Sequence, residues 1–232
     1  MIFRGWQKIS LNEWPGKVCS VVWVSGCNFC CPFCYNPDLV LRPEKLPKFL
    51  EEEVLMYLSK NKNLIDGVAI TGGEPLIQKK EDLVAFIKKI KKLGLQFAVE
   101  TNGTNPEMIE FLIKNKLVDY IAMDIKAPLL QEKYNQLTGV KVDLKKIKKS
   151  IKIIIDSSIN SEFRTTVVPG LLKEDDILEI VKEVRKGQSY FLQKFQPKET
   201  VGIIPETKAY SAEWFKNLEK RIQKKINIKL RT

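Results

Sequence analysis

An α/β fold built on a parallel sheet is the architecture this sequence predicts, and three observations predict it. Short runs rich in Val, Ile and Phe alternate with longer stretches of helical period. The short runs are nearly continuous in apolar residues, as strands covered on both faces are. Polar or glycine-rich residues gather just after each run, at the end of such a sheet where active sites form. Strand-then-helix units in a row require right-handed crossovers, and the sheet is either open and doubly wound or curved into an incomplete barrel.

In chain order, the first strand is expected over Val18–Ser25 and the first helix over Leu46–Lys60. Strand Gly67–Thr71 leads to helix Glu81–Leu93, after which Gly94 stands where a C-terminal cap is wanted. Strand Leu95–Glu100 precedes helix Pro106–Lys116, with Asn105 as its cap and Pro106 where a missing N–H costs nothing. Strand Asp119–Lys126 pairs with helix Val142–Asp156, strand Glu162–Val168 with helix Glu174–Lys186, and strand Ser189–Phe195 with helix Ser211–Lys225. Gln196–Thr207, with Pro197 and Pro205, reads as the loop before that last helix. No internal repeat, low-complexity tract or dividing linker is present, so one domain is expected over 1–232. Its core covers about 18–196, and a C-terminal loop and helix cover 197–232.

Composition narrows the class. The 232 residues are 44% hydrophobic and 29% charged, which suits a globular protein with its own core. No apolar run approaches the roughly 20 residues that span a bilayer. "VSGC" (Val24 to Cys27) imitates a lipoprotein cleavage site, but Glu13 and Pro15 interrupt what would be a basic leader. A cytoplasmic location is expected. The net charge of +11 raises a nucleic-acid reading, which its distribution weakens. "AFIKKIKKLG" sets Phe86, Ile87, Ile90 and Leu93 on one helical stripe and its lysines on the other. "LKKIKKSIKIII" does the same with Leu144, Ile147, Ile151 and Ile154.

All five cysteines, Cys19, Cys27, Cys30, Cys31 and Cys34, fall in the first 34 residues, a clustering that fits metal binding better than a disulfide framework. The absence of histidine excludes Cys/His zinc fingers, the Ser–His–Asp triad and the Cys–His dyad. Sulfur-only ligation suits zinc or an iron–sulfur cluster. A structural zinc site closes four ligands, normally as two separated pairs, and no second pair exists. Adjacent Cys30 and Cys31 have Cα atoms about 3.8 Å apart and divergent side chains, a poor start for sharing one tetrahedral ion. The better partition is Cys27-x3-Cys31-x2-Cys34. Three thiolates on a four-iron cluster leave one iron open, which an amino acid's amine and carboxylate can chelate.

C-x3-C-x2-C with Phe33 before the last cysteine resembles the signature of the radical S-adenosylmethionine superfamily, and "GGEP" one strand later is its companion. "GWQKISLNEWPGK", "SGCNFCCPFCYNPDLV", "TGGEPL", "DYIAMDIKAP" and "FRTTVVPGLL" together are similar to the small activating proteins of anaerobic ribonucleoside-triphosphate reductase, from Gly5 to about Pro197. For the fold, this resemblance implies an incomplete TIM-like (β/α)6 barrel with its active site at the C-terminal strand ends. For the activity, it implies a formate C-acetyltransferase-activating-enzyme-like oxidoreductase that cleaves S-adenosylmethionine reductively. That cleavage yields methionine and a 5′-deoxyadenosyl radical, which takes a hydrogen atom from a backbone glycine of a partner enzyme. The implied cofactors are a [4Fe-4S] cluster and S-adenosylmethionine. The implied partners are that reductase or another glycyl-radical enzyme, and a flavodoxin- or ferredoxin-like electron donor, with no membrane and no nucleic acid. The redox demand lies near the low end of the iron–sulfur range, whose floor is about −700 mV.

Residue roles follow from the resemblance. Cys27, Cys31 and Cys34 would ligate the cluster, and Phe33 would face adenine. Gly72 and Gly73 would allow close backbone approach, while Glu74 and Pro75 complete the motif that holds the methionine amine. Asp124 and Lys126, alternating on one strand, share a face and would contact the methionine or ribose portion. Arg164 would fork onto the cofactor carboxylate. Asn102 and Gly103 would turn beside the ribose, and Glu100 and Thr101 would add to that site or bind a monovalent cation. Two residues depart from the family pattern. Cys30 stands where a basic residue is common and reads as an inert spare, a rival ligand or a point of oxidative damage. Tyr35 stands where histidine is common and keeps the aromatic role. Cys19, inside a buried strand, reads as core. Neither spare cysteine supports a second cluster, since the larger activating enzymes need about eight more cysteines for two further Cys₄ sites. Two other readings remain: the same chemistry on a small molecule or RNA, and a zinc-stabilised nucleic-acid-binding protein.

Overall fold

All six apolar runs form strands in the computed structural model, which describes residues 1–196, 200–202, 209–223 and 228–231. The strands are β1 (Ile2–Phe3), β2 (Gly5–Ser10), β3 (Cys19–Val24), β4 (Phe49–Leu50), β5 (Gly67–Gly72), β6 (Gln96–Thr101), β7 (Tyr120–Asp124), β8 (Asn160–Val167), β9 (Tyr190–Lys194) and β10 (Ile228–Arg231). The helices are α1 (Pro37–Leu41), α2 (Glu51–Asn61), α3 (Lys80–Lys92), α4 (Pro106–Lys114), α5 (Gln131–Thr138), α6 (Leu144–Asp156), α7 (Glu174–Val184) and α8 (Ala212–Ile222). One sheet carries the order β10-β9-β8-β7-β6-β5-β3-β2, and β1 pairs with β4 in a second, two-stranded sheet. Strand β3 runs parallel to β5, β5 to β6, β8 to β9 and β9 to β10, whereas β2 is antiparallel to β3. A doubly wound sheet needs a reversal at its switch point, and this order has none.

Two compact units make up the described chain. The first comprises 1–28, 36–101 and 107–121, and the second 29–35, 102–106 and 122–232. In the first unit Phe86, Ile87 and Ile90 of α3 are fully buried, as the lysine-backed stripe predicts, and Leu83 joins them, whereas Leu93 is the half-buried residue that caps the helix. The ring of Phe86 lies 5.0 Å from that of Phe3 and 6.1 Å from that of Phe97. Each such side chain contributes about 1.5–3 kcal/mol by leaving water. The second unit closes over Phe163, Val167 and Tyr190 of the sheet, with Ile147, Ile151 and Ile154 of α6 and Ile177, Ile180 and Val184 of α7 all buried.

Several boundaries differ from the sequence reading. Helix α2 starts at Glu51 rather than Leu46, because Phe49 and Leu50 pair with Phe3 and Ile2 as β4. The Leu50 N–H then donates to Glu53 Oε2 at 2.7 Å, and Glu51, Glu52 and Glu53 place negative charge at the helix N-terminus. Strand β7 ends at Asp124, so Lys126 is not on it. Strands β1, β2, β4 and β10 and helices α1 and α5 are additions. The β2–β3 register slips between Gln7 and Ser10. Most of the expected loop Gln196–Thr207 and the expected helix end at Lys225 lie outside the described residues. Among the described residues no helix is long and apolar enough to cross a membrane.

Candidate cofactor site

In the first unit the ends of β3 and β5 are laced by backbone. Gly73 N–H donates to Val24 O at 2.9 Å, and Glu74 N–H donates to Gly26 O at 2.8 Å. Gly72 sits at φ 121°, where only glycine is unstrained. A Cβ on Gly73 would stand 1.8 Å from Gly26 O. Both glycines therefore allow close backbone approach, as expected, and the backbone approached is the stretch leading into half-buried Cys27. Glu74 is buried at 1% exposure, its Oε1 accepting from Leu76 N–H at 3.0 Å and from Thr101 Oγ1 at 2.7 Å. Pro75 opens a single 3₁₀ turn ending at Ile77. Glu100 Oε2 accepts from Thr71 Oγ1 at 2.8 Å.

The second unit holds the rest of the cysteine loop. Cys34 N–H donates to Cys31 O at 3.0 Å, closing a tight turn with Cys31 buried and Cys34 half-buried. Phe33, inside the turn, is buried at 4% exposure. Tyr35 stacks on Phe195 with centroids 5.8 Å apart, and its hydroxyl accepts from Gln196 N–H at 2.6 Å. Burial lifts the Tyr35 phenol above its ordinary pKa. The loop is also braced by α5: Cys30 N–H donates to Thr138 O at 2.8 Å. The helix ends on Gly139 at φ 69°, where a Cβ would lie 2.3 Å from Cys30 O.

Asp124 and Lys126 come together, although not by strand alternation. Lys126 Nζ donates to Asp124 Oδ2 at 2.8 Å, the two side chains being 19% and 36% exposed respectively. Burial opposes the Lys126 charge, but Asp124 and then the Cys31 and Cys34 sulfurs outweigh it and hold the ammonium above its usual range. Arg164 is buried and donates through Nε to Glu162, two residues back on β8. Asn102 Oδ1 accepts from Thr104 N–H at 3.1 Å and Thr104 Oγ1 at 2.7 Å, forming the expected turn, and Gly103 O accepts from Ser150 Oγ at 2.7 Å.

Two spare cysteines differ in kind. Cys19 is wholly buried, directs Sγ to Ser10 O at 3.7 Å, and has its thiol pushed up to about 12, chiefly by burial. It is an inert core residue, as expected. Cys30 is half-buried in the loop itself. The sequence reading passed over Tyr134, Thr138 and Gly139 altogether. "LTG" after a helical turn was the one available signal, a C-terminal glycine cap. Tyr134 is completely buried, its ring edge-on to Phe29 at 6.4 Å. Among the described residues no three Cys, Asp or Glu side chains converge as a ready-made site for a metal ion.

The model of the radical SAM superfamily matches residues 21–188 of this chain. The chain belongs to that superfamily. Its members use S-adenosylmethionine and a [4Fe-4S] cluster held by three cysteines. Within it the chain falls in the glycyl-radical activating enzyme family. A Methanocaldococcus jannaschii protein assigned by name as a glycyl-radical enzyme activating enzyme is 36% identical over 202 residues, covering 85% of this chain and 81% of the relative. The pyruvate formate-lyase-activating enzyme of Clostridium pasteurianum is 27% identical over 205 residues, covering 85% and 82%. Among solved structures, Streptococcus suis SuiB matches with a TM-score of 0.69 at 18% identity, covering 91% of this chain and 48% of SuiB. Bound to S-adenosylmethionine, SuiB matches with a TM-score of 0.68 at 17% identity, covering 91% and 52%. The chain thus spans about half of that protein, and the likeness shows the shared fold, a partial TIM barrel. A match running far past the cysteines sets aside the zinc-stabilised nucleic-acid-binding reading.

The residues present fit the superfamily's cluster. The donors are sulfur alone, and the Lys126 ammonium, which feels the negative charge of Cys31 and Cys34, would offset it when they ligate.

Proposed function

We propose that this protein activates an anaerobic ribonucleoside-triphosphate reductase by creating a radical on one of its backbone glycines. The 36% identity to a protein named for glycyl-radical enzyme activation, extending over most of both chains, supports the activation chemistry, and the choice of the reductase rests on the motif resemblance. Cys27, Cys31 and Cys34 would hold the cluster, and its open iron would take the amine and carboxylate of S-adenosylmethionine. Bound together, cluster and cofactor supply the one-electron cleavage that starts radical chemistry. Phe33 and Tyr35 would flank the adenine, and Gly72, Gly73, Glu74 and Pro75 would receive the methionine amine. Thr101 and Asn102 would border the ribose, and Asp124, Lys126 and Arg164 would meet the remaining polar groups. A cytoplasmic flavodoxin- or ferredoxin-like protein would deliver the electron. The Clostridium relative favours a second reading with the same chemistry, in which the partner is another glycyl-radical enzyme.

The test is oxygen-free reconstitution with a strong reductant, followed by assay for 5′-deoxyadenosine. No product ends the enzyme reading. Adding candidate partners and recording a glycine-centred paramagnetic signal then decides between the reductase and other glycyl-radical enzymes. In the same assay Cys30→Ser keeps activity while Cys31→Ser loses it; the reverse pattern overturns the ligand assignment.

A further inference from the structure

The residues assigned to cluster and cofactor follow β3 or lie at the ends of β5 to β8, which leaves the end of β9 without a task. Register settles which way its side chains face. Residues paired across parallel strands point to the same side, and successive residues alternate. Arg164 pairs with Phe191 and Thr166 with Gln193, so these four share one side of the β8–β9 pair. Phe163 takes the other, where a Cβ on Gly187, just after α7, would stand 2.7 Å from its ring. That is the helix side, and Arg164, Thr166 and Gln193 are on the inner one.

Polarity changes along the inner side toward the strand ends. Arg164 is buried and paired with Glu162. One step on, Thr166 and Gln193 are half-buried and carry no charge. Beyond them Phe195 stacks on Tyr35, next to Cys34. Thr166 Oγ1 donates to Gln193 Oε1 at 3.4 Å, a long bond, and the Gln193 amide nitrogen meets no acceptor among the described residues. A carboxamide with a spare donor edge, set between an ion pair and an aromatic stack, suits an uncharged polar ligand. A peptide group is such a ligand, because it carries the same donor and acceptor as the carboxamide itself.

We propose that Gln193 binds the backbone of the partner's glycine segment, its Nε2 donating to a peptide carbonyl beside the glycine while Thr166 steadies the other end of the carboxamide. The inference rests on the function proposed above and adds where the partner is held. Glycine has no side chain to grip, so a bond to its backbone is the direct way to fix its orientation. Such fixing is what brings one Cα hydrogen to the radical.

Gln193→Met in the full chain, with the cluster reconstituted, tests this, since it keeps the side chain's length and removes the donor. The partner is the glycyl-radical enzyme that gives the glycine-centred signal in the assay above. The partner concentration giving half the maximal signal should rise about three- to tenfold, as for one lost neutral hydrogen bond. Gln193→Glu, which turns the donor edge into an acceptor, should raise it further. Affinity for S-adenosylmethionine and 5′-deoxyadenosine formation without partner should stay at parent values in both. An unchanged half-saturating concentration overturns the inference, and so does weakened binding of S-adenosylmethionine, which would make Gln193 a cofactor residue instead. A parent chain that cleaves S-adenosylmethionine but marks no candidate partner sinks the proposed function together with this inference, and it shows itself before any variant is made.

Discussion

A methyl group on residue 73 has nowhere to go. The Cβ of Gly73→Ala would meet the Gly26 carbonyl oxygen at 1.8 Å, and a backbone oxygen cannot swing away as a side-chain tip can. The two strand ends would have to part, breaking the 2.8 Å bond from Glu74 N–H to Gly26 O. A loss of about 3 kcal/mol is expected, at the upper end of overpacking costs, measured by urea denaturation of the iron-free protein. Thr101→Val is milder. It removes one 2.7 Å hydrogen bond to the buried Glu74 carboxylate and should cost about 1–3 kcal/mol in the same assay. The sequence shows that glycine is required in "TGGEPL", since the motif repeats a known pattern. It does not show which backbone crowds those glycines, because the crowding group is nearly fifty positions away in the chain.

At the level of elements, periodicity located the six strands first read from sequence, since each is a buried run whose apolar character decides its place. Helix α5 escaped for the converse reason. "QEKYNQLT" has only Tyr134 and Leu137 as large apolar residues, and Leu130 before it offers no capping side chain. Its helicity comes from tertiary packing, which a local pattern cannot carry. The same holds for β2, where Gln7, Lys8 and Ile9 are all exposed. Lys126 meets Asp124 as an ion pair and not by strand alternation: the strand stops at Asp124, and the lysine folds back to it. The bracing role of α5 is open to test. Gly139→Ala would combine a left-handed backbone at φ 69° with a Cβ 2.3 Å from Cys30 O. It should push the cysteine loop out of place, so iron retained after desalting should fall at least severalfold while far-UV circular dichroism stays unchanged.

Across the whole molecule the excess of lysine, +11 overall, is spread over helix faces, and part of it is tied to carboxylates. Glu51, 5% exposed, accepts from Lys89 Nζ at 2.7 Å and pairs with the Met1 amine. Burial alone would raise its pKa, but Lys89 and that amine hold it below the ordinary 4.5. The stability it contributes is therefore complete above about pH 4.5 and is lost as pH falls through the lower value of the folded state. The urea midpoint should drop in that window, and Lys89→Gln should make the drop smaller. Strand order was the global feature the sequence left undecided, because alternation alone fits either winding. Only the order of strands across the sheet, from β2 to β10 without reversal, separates them.

The slipped register between Gln7 and Ser10 also has a bearing on how the protein behaves in a crowded cell. A rim strand with regular spacing is a template on which foreign chains can stack. Here the irregularity twists that rim, and the Lys8 ammonium, held 5.7 Å from the Trp6 ring and 5.5 Å from the Tyr57 ring, adds a charge that an incoming strand would have to bury. Lys8→Val would strip that guard, and slow fibre growth under mild agitation would follow.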